Sequence, residues 1–319
     1  MSGGAFLSPT NEGERSGESG GAGRGVLAVI GLGLMGSRMA GHLLAAGHQL
    51  RGYDPDPARM AEFEEKGGIA TGSPSEAVQG CWAALLSLPT SDVSQEVCLG
   101  EDGIGGAGVT DLFVYDATTG RPTDAIEIAG TLAHAGVIYS DTTVSGNSEV
   151  AEKGELVVML GGSEDAYVRG RPIFEAIGRS HHHVGPVGSA SRMKLIVNHA
   201  LTIHRMALAE AVVVAELAGM DLDTTLDVLK DSLAYSKAMD VWGDQIVRGD
   251  HQYPYARLRQ SHKDARLIVE HGLELGATMD LAQVVRAALA EGEETGLADM
   301  DNSSVAEVVR RRAGIGRVE

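Results

Sequence analysis

Val26-Leu27-Ala28-Val29-Ile30-Gly31-Leu32-Gly33-Leu34-Met35-Gly36 decides how the first half of the chain folds. Its first five residues are uniformly apolar and rich in β-formers, the composition of a strand buried on both faces. The run stops at Gly31. Beyond it Met35, Met39, Leu43 and Leu44 recur at helical spacing, so the strand turns directly into a helix. Glycines at 31, 33 and 36 suit a turn that a phosphate must approach: they allow a tight bend, leave no side chain in the way and let helix pack on strand. The helix N-terminus then offers its unpaired N–H groups to the anion. Gln49 to Asp54 reads as the second strand, stopped by Pro55 and Pro57. It sets Asp54 about twenty residues after the glycines, where an acid holds the ribose hydroxyls of a dinucleotide. Gly31, Leu32, Gly33, Leu34, Met35, Gly36 and Asp54 are therefore candidate cofactor residues. A carboxylate at Asp54 repels a 2′-phosphate, which favours NAD over NADP. Arg51 and Arg59 flank it, and read locally Asp54 is also an ordinary turn acid before proline.

Further along, Trp82 to Leu88, Leu112 to Asp116, Val137 to Ser140 and Leu156 to Leu160 read as more strands with helical patterns between them. That alternation predicts a Rossmann-type, doubly wound parallel sheet with helices on both faces over residues 25–188. From Ser189 the strand signal ends. Helical periodicity takes over, broken near Gly219, Gly249 to Pro254 and Gly292 to Gly296, which predicts an all-α domain over 189–319. One long helix, from about Ser191 to Leu217, joins the two. Residues 1–24 are rich in Gly, Ser and Glu and read as a disordered tail.

Composition narrows the function. A net charge of −18 argues against nucleic acid but leaves room for a local anion pocket. Cys81 and Cys98 stand in neither metal nor disulfide spacing. The apolar run Ala207 to Met220 is interrupted by Glu210 and Glu216, too short and too charged to span a bilayer. These features predict a cytoplasmic protein with no membrane partner.

In an open α/β sheet the ligand sits beyond the strand C-termini. Leu88-Pro89, Thr118-Thr119 and Asp141-Thr142-Thr143-Val144-Ser145-Gly146-Asn147 all follow predicted strands there. Each also reads as plain turn chemistry. Ser145 and the N–H groups after it suit a carboxylate. Downstream, Gly185 to Asn198 opens the long helix, and Lys194 and Asn198 leave one face of it a single turn apart. A lysine and a carboxamide there can hold a carbonyl oxygen, and the lysine can move a proton. His181-His182-His183 has no acidic or cysteine ligand at suitable spacing, so no metal site is expected. Lys263-Asp264 alone reads as a surface pair.

Together these segments resemble the β-hydroxyacid dehydrogenase family over roughly residues 25 to 315. The family's cofactor signature matches Gly31 to Ala40, and its catalytic signature falls on Gly185 to Asn198. The resemblance implies cofactor contacts at Leu88, Pro89, Thr119 and Lys263, substrate contacts at Ser145, Gly146 and Asn147 as well as Lys194 and Asn198, and assembly as a homodimer or homotetramer. Thr142-Thr143 stands where the family usually has Ala-Pro, Asn147 replaces a loop glycine and Ala190 a signature glycine. The expected activity is reversible hydride transfer between a nicotinamide and a small anionic 3-hydroxy acid or its semialdehyde, with Lys194 as general acid and base. The polar residues Thr142, Thr143 and Asn147 suggest a substrate more oxygenated than 3-hydroxyisobutyrate. Two alternatives stay open: an imine reductase on the same fold, which usually lacks the lysine, and a non-catalytic cofactor-binding scaffold.

Overall fold

The opening apolar run forms the first strand, β1 (Val26–Ile30), and feeds two cores at once. Leu27 and Val29 pack in one cluster with Met39, Leu43 and Phe174, while Ala28 and Ile30 join Val114, Ile128 and Leu132 in another. A strand whose alternate residues are buried on opposite sides lies inside a sheet covered on both faces. The computed structural model describes residues 25–316, and the tail expected over 1–24 lies outside them.

The chain continues as α1 (Gly36–Ala45), β2 (Gln49–Tyr53), α2 (Pro57–Glu65), β3 (Ile69–Ala70), α3 (Pro74–Ala77), β4 (Ala83–Leu86), α4 (Ser91–Leu99), β5 (Phe113–Asp116), α5 (Pro122–Ala133), β6 (Ile138–Asp141), β7 (Val144–Ser145), α6 (Ser148–Glu152), β8 (Leu156–Gly161), α7 (Glu164–Ile177) and β9 (Gly178–Gly185). The sheet order is β3-β2-β1-β4-β5-β6-β8-β7, with β9 paired to β8. From β3 to β6 every pairing is parallel. All those strands therefore end on one edge, and the winding reverses between β1 and β4, the place where such sheets bind ligands.

The sheet is not parallel throughout. β8 runs antiparallel to β6 and β7, because β7 turns back on it and the intervening α6, five residues long, does not cross the sheet. Parallel pairing resumes at β9 after α7. The sequence pattern missed three strands. β3 and β7 are two residues each, and β9 is an edge strand of half-exposed polar residues that carries the three histidines. Such a strand lacks the apolar run by which the others are recognised.

The second half is helical: α8 (Ser189–Leu217), α9 (Leu222–Asp231), α10 (Lys237–Arg248), α11 (Leu258–Glu274), α12 (Asp280–Gly292) and α13 (Val305–Arg312). Its core gathers Met206, Leu208, Val212, Trp242, Ile246 and Val308. The expected breaks coincide with left-handed glycines at 219, 249 and 296. α8 starts against the ends of β6 and β8 and runs into this second core, so one rigid element belongs to both halves. Among the described residues, no helix is long and apolar enough to cross a membrane and no cluster of three or more His, Cys, Asp or Glu can hold a metal ion.

Candidate active site

The turn after β1 needs its glycines for space. Gly31 has φ +89, and a Cβ there would strike the Ser87 carbonyl, while one on Gly36 would strike the carbonyl of Gly31. Gly33 is open except for the Arg59 guanidinium, 3.6 Å from where its Cβ would stand. Leu34 is exposed and Met35 opens α1 without a side-chain capping bond. This is a cradle of backbone with the Arg59 guanidinium at its side, suited to a pyrophosphate. Asp54 is buried at the end of β2, where Oδ2 accepts from the Leu32 N–H at 2.8 Å and Oδ1 from the Asp56 N–H at 2.9 Å. Arg59 reaches over it, with Nη1 3.3 Å from Oδ2.

Next along the edge, the Leu88 N–H donates to Thr118 Oγ1 at 3.0 Å, and Thr118 is itself held by Asp116 at 2.9 Å. Lys263 arrives from α11: its Nζ donates to the Thr119 carbonyl at 2.9 Å and lies 3.4 Å from that of Pro89. Leu88, Pro89, Thr119 and Lys263 thus meet, although Lys263 lies 174 positions beyond Pro89.

Lys194 and Asn198 face the same edge from α8. Lys194 Nζ donates to the Val144 carbonyl at 2.7 Å, beside Ser145. Asn198 Nδ2 donates to Asp264 Oδ2 at 3.0 Å, and Asp264 Oδ1 pairs with Lys263 Nζ at 3.1 Å. A chain of polar contacts therefore runs from Asn198 through Asp264 to Lys263 and the Pro89 and Thr119 loops. Desolvation holds the Lys194 ammonium below the ordinary lysine range; the charge of Lys263 adds to this, and Asp264 opposes it.

The loop after β6 corrects one expectation. Thr142 and Thr143 are fully buried, and their hydroxyls donate to the backbone carbonyls of Ser140 at 3.2 Å and Ala190 at 3.0 Å. They stitch the loop to the helix and offer nothing to a substrate. Asn147 Oδ1 accepts from the Val150 N–H at 3.0 Å and caps α6, which leaves its amide nitrogen to meet a ligand. Gly146, at φ +145, turns the chain between Ser145 and that cap. The three histidines stand apart from this edge: His181 and His183 lie against Tyr167, with His181 Nδ1 2.9 Å from the Tyr167 hydroxyl and His183 Nε2 2.8 Å from the Gly162 carbonyl.

Residues 26–185 match the sequence profile of the NAD-binding domain of 6-phosphogluconate dehydrogenase, and residues 188–309 that of the NAD-binding domain of NADP-dependent 3-hydroxyisobutyrate dehydrogenase. The chain belongs to the β-hydroxyacid dehydrogenase family. The 3-sulfolactaldehyde reductase of Escherichia coli K12 is 29% identical over 290 residues, 91% of this chain and 97% of that one. A structure of 3-hydroxyisobutyrate dehydrogenase from Mycobacterium tuberculosis with L-serine superposes with a TM-score of 0.82 at 28% identity, covering 90% of this chain and 99% of the other. That of 3-hydroxyisobutyrate dehydrogenase from Salmonella typhimurium gives 0.81 at 26% identity, covering 89% and 100%. This β-hydroxyacid dehydrogenase is an NAD(P)-dependent oxidoreductase of the CH–OH type.

Two residues of the site escaped the sequence reading. Asp264, matched with Lys263 to a late Lys-Asp pair of the family, received no role of its own, because its partner Asn198 is 66 positions away. Asp141 read as the first residue of a turn, whereas its side chain bonds the start of α8. A hint of the second was present: Gly188 sits where a helix normally carries a capping side chain and has none to offer.

Proposed function

We propose that this dehydrogenase transfers a hydride reversibly between NAD and a small anionic 3-hydroxy acid or its semialdehyde, with Lys194 moving the proton. The observation that carries the reading is the position of Lys194: a desolvated amine bonded to Val144 O, beside Ser145, on the edge where Leu88, Pro89, Thr119 and Lys263 converge. The nicotinamide, when bound, supplies the hydride chemistry. Gly31 to Gly36 hold its pyrophosphate on backbone N–H groups, Asp54 accepts from its ribose hydroxyls, and Lys263 with the Pro89 and Thr119 loops closes over it. Ser145, the Gly146 and Asn147 N–H groups and the Asn147 amide take the substrate's acid group. In oxidation Lys194 Nζ accepts the hydroxyl proton; in reduction its ammonium returns one to the carbonyl oxygen. Asn198, held by Asp264, orients that oxygen against Lys194.

A small acid is supported by the relatives. One similar protein is named 3-sulfolactaldehyde reductase, another 2-(hydroxymethyl)glutarate dehydrogenase and a third glyoxylate/succinic semialdehyde reductase, all small acids or their aldehydes. Exposed Ile196, Val214 and Leu217 on α8 support a homo-oligomer built on that helix. The deciding experiment is Lys194→Ala assayed against a panel of hydroxy acids and semialdehydes by NADH absorbance. Its kcat falls by about 10²-fold or more while cofactor affinity holds. In the parent enzyme, oxidation rises with pH through the lysine's pKa and reduction falls through it. That limb lies below the ordinary lysine value of about 10.4, because desolvation favours the neutral amine. Near-normal turnover in Lys194→Ala refutes the assignment.

A further inference from the structure

We infer that Asp141 is a positioning residue for the proton-transfer site: its carboxylate caps the first turn of α8 from a distant strand and so fixes where Lys194 stands against the loop after β6. The inference rests on the proposed role of Lys194, though the contacts that motivate it do not. α8 starts at Gly188, whose left-handed backbone at φ +89 opens the helix and which has no side chain to accept a helix N–H. The first N–H groups of a helix have no partner within it, and a local serine or aspartate usually supplies one. Here Asp141 supplies it from 47 to 50 positions upstream. Oδ1 accepts from the Gly188 N–H at 2.7 Å, and Oδ2 accepts from the Ser191 N–H at 2.7 Å and its hydroxyl at 2.9 Å.

The surroundings are shaped for this contact. Gly161 pairs with Asp141 between β8 and β6, and a Cβ there would run into Asp141 Oδ1 and come within 2.8 Å of the Ala190 N–H. Asp141 is 1% exposed, a burial that a carboxylate tolerates only with several donors. Burial holds its pKa above the ordinary carboxylate value, and the Ser191 and Gly188 donors offset part of that rise. The positive end of a 29-residue helix favours the ionised form as well.

The consequence reaches Lys194 by two routes. Asp141 holds the helix with its side chain and the loop with its main chain, and the loop is further tied by the Thr143 hydroxyl to Ala190 O at 3.0 Å and by the Thr142 N–H to Asp116 O at 2.7 Å. The bond from Lys194 Nζ to Val144 O spans the two parts that Asp141 joins. Without the carboxylate the bond that favours the ammonium loosens, and the helix end that opposes positive charge is no longer offset. Both changes lower the lysine's affinity for a proton.

Asp141→Asn keeps the size and removes the charge. The readout independent of activity is competitive acetylation of Lys194 with acetic anhydride across pH, quantified by mass spectrometry; the second is the pH profile of kcat for oxidation. Both midpoints move to lower pH by about half a unit or more, and kcat falls roughly tenfold with cofactor KM within about twofold, as expected for a lost charge-assisted contact. Ser191→Ala, which keeps the two backbone bonds, shifts both midpoints the same way by less. A folded Asp141→Asn enzyme with unmoved midpoints makes Asp141 merely structural and overturns the inference. Should that variant fail to fold, an unmoved midpoint in Ser191→Ala overturns it instead. Lys194→Ala assayed in parallel separates the two ideas: full turnover there removes the proton-transfer reading, while the acetylation midpoint still decides whether Asp141 places the lysine.

Discussion

Of the helices that begin at the ligand edge of this sheet, α1 and α8 have N-termini finished in opposite ways. α1 starts at Met35 with no side-chain cap, after Gly31 and Gly33 and just before Gly36, glycines whose missing Cβ atoms leave the backbone open. α8 starts at Gly188, which has no side chain of its own, but the Asp141 carboxylate fills this end with three bonds from across the sheet. Both ends carry the same partial positive charge from aligned peptide dipoles. An open helix end of this kind is one that an anion such as a phosphate can complete. Where the protein completes it with its own acid, the helix gains a fixed position instead, and the side chains of its first turns inherit that precision.

The largest effect is expected from spoiling the open end. Gly36→Ala places a methyl on the Gly31 carbonyl, and the cradle can accommodate it only by opening. Dinucleotide affinity, measured by titration of the intrinsic fluorescence or by calorimetry, drops by about a hundredfold, some 2.7 kcal/mol. The bond from Lys194 to Val144 lies on the other helix and is left alone, so single-turnover chemistry at saturating cofactor changes far less. Equal affinity in the variant removes the pyrophosphate cradle from this turn.

A smaller effect sharpens cofactor choice at the same end. Asp54 gives both carboxylate oxygens to the Leu32 and Asp56 N–H groups and still faces Arg59. Its charge opposes a 2′-phosphate, and removing it leaves the Arg59 guanidinium beside Gly33 with one acidic neighbour fewer. In Asp54→Ala the ratio of kcat/KM for NAD over NADP falls by about tenfold, the factor that 1.4 kcal/mol commands. A parent enzyme that already prefers NADP contradicts the NAD assignment outright.

The same contrast explains what could be seen in the sequence. The open end is written within one strand–helix–strand unit: an apolar run, glycines within a few residues and an acid at the close of the next strand, 22 positions from its Leu32 partner. Leu27 and Val29 against Ala28 and Ile30 needed only the alternation of a buried strand. The closed end is written across the chain. Nothing near Asp141 announces that its partners are Gly188 and Ser191, and nothing near Thr143 says that its hydroxyl turns inward to Ala190. Those threonines read as polar groups facing a substrate because residue type is legible from sequence, whereas the direction in which a loop side chain points depends on the element packed beneath it. β9 was hidden for a related reason. An edge strand carrying Ser180, an exposed His182 and the half-exposed His181 and His183 has no apolar periodicity to betray it.

The smallest expected effect tests the one polar substitution of the loop that still faces outward. Asn147 has two ends with separable duties: Oδ1 caps α6 through the Val150 N–H, and the amide nitrogen is free of that bond and available to a substrate acid. Serine is as good as asparagine at a helix N-cap but brings no amide donor. Asn147→Ser therefore keeps its melting temperature, while KM for the acid substrate rises about fivefold, the loss of one solvent-accessible hydrogen bond near 1 kcal/mol. Asn147→Ala removes both functions, so it shows the same rise in KM together with a stability loss of about 1 kcal/mol in urea. The pair is informative because the two readouts come from different atoms of one side chain. If serine leaves KM unchanged and alanine costs only stability, Asn147 is a cap alone, and substrate recognition in this loop falls to Ser145 and the backbone N–H groups that follow it.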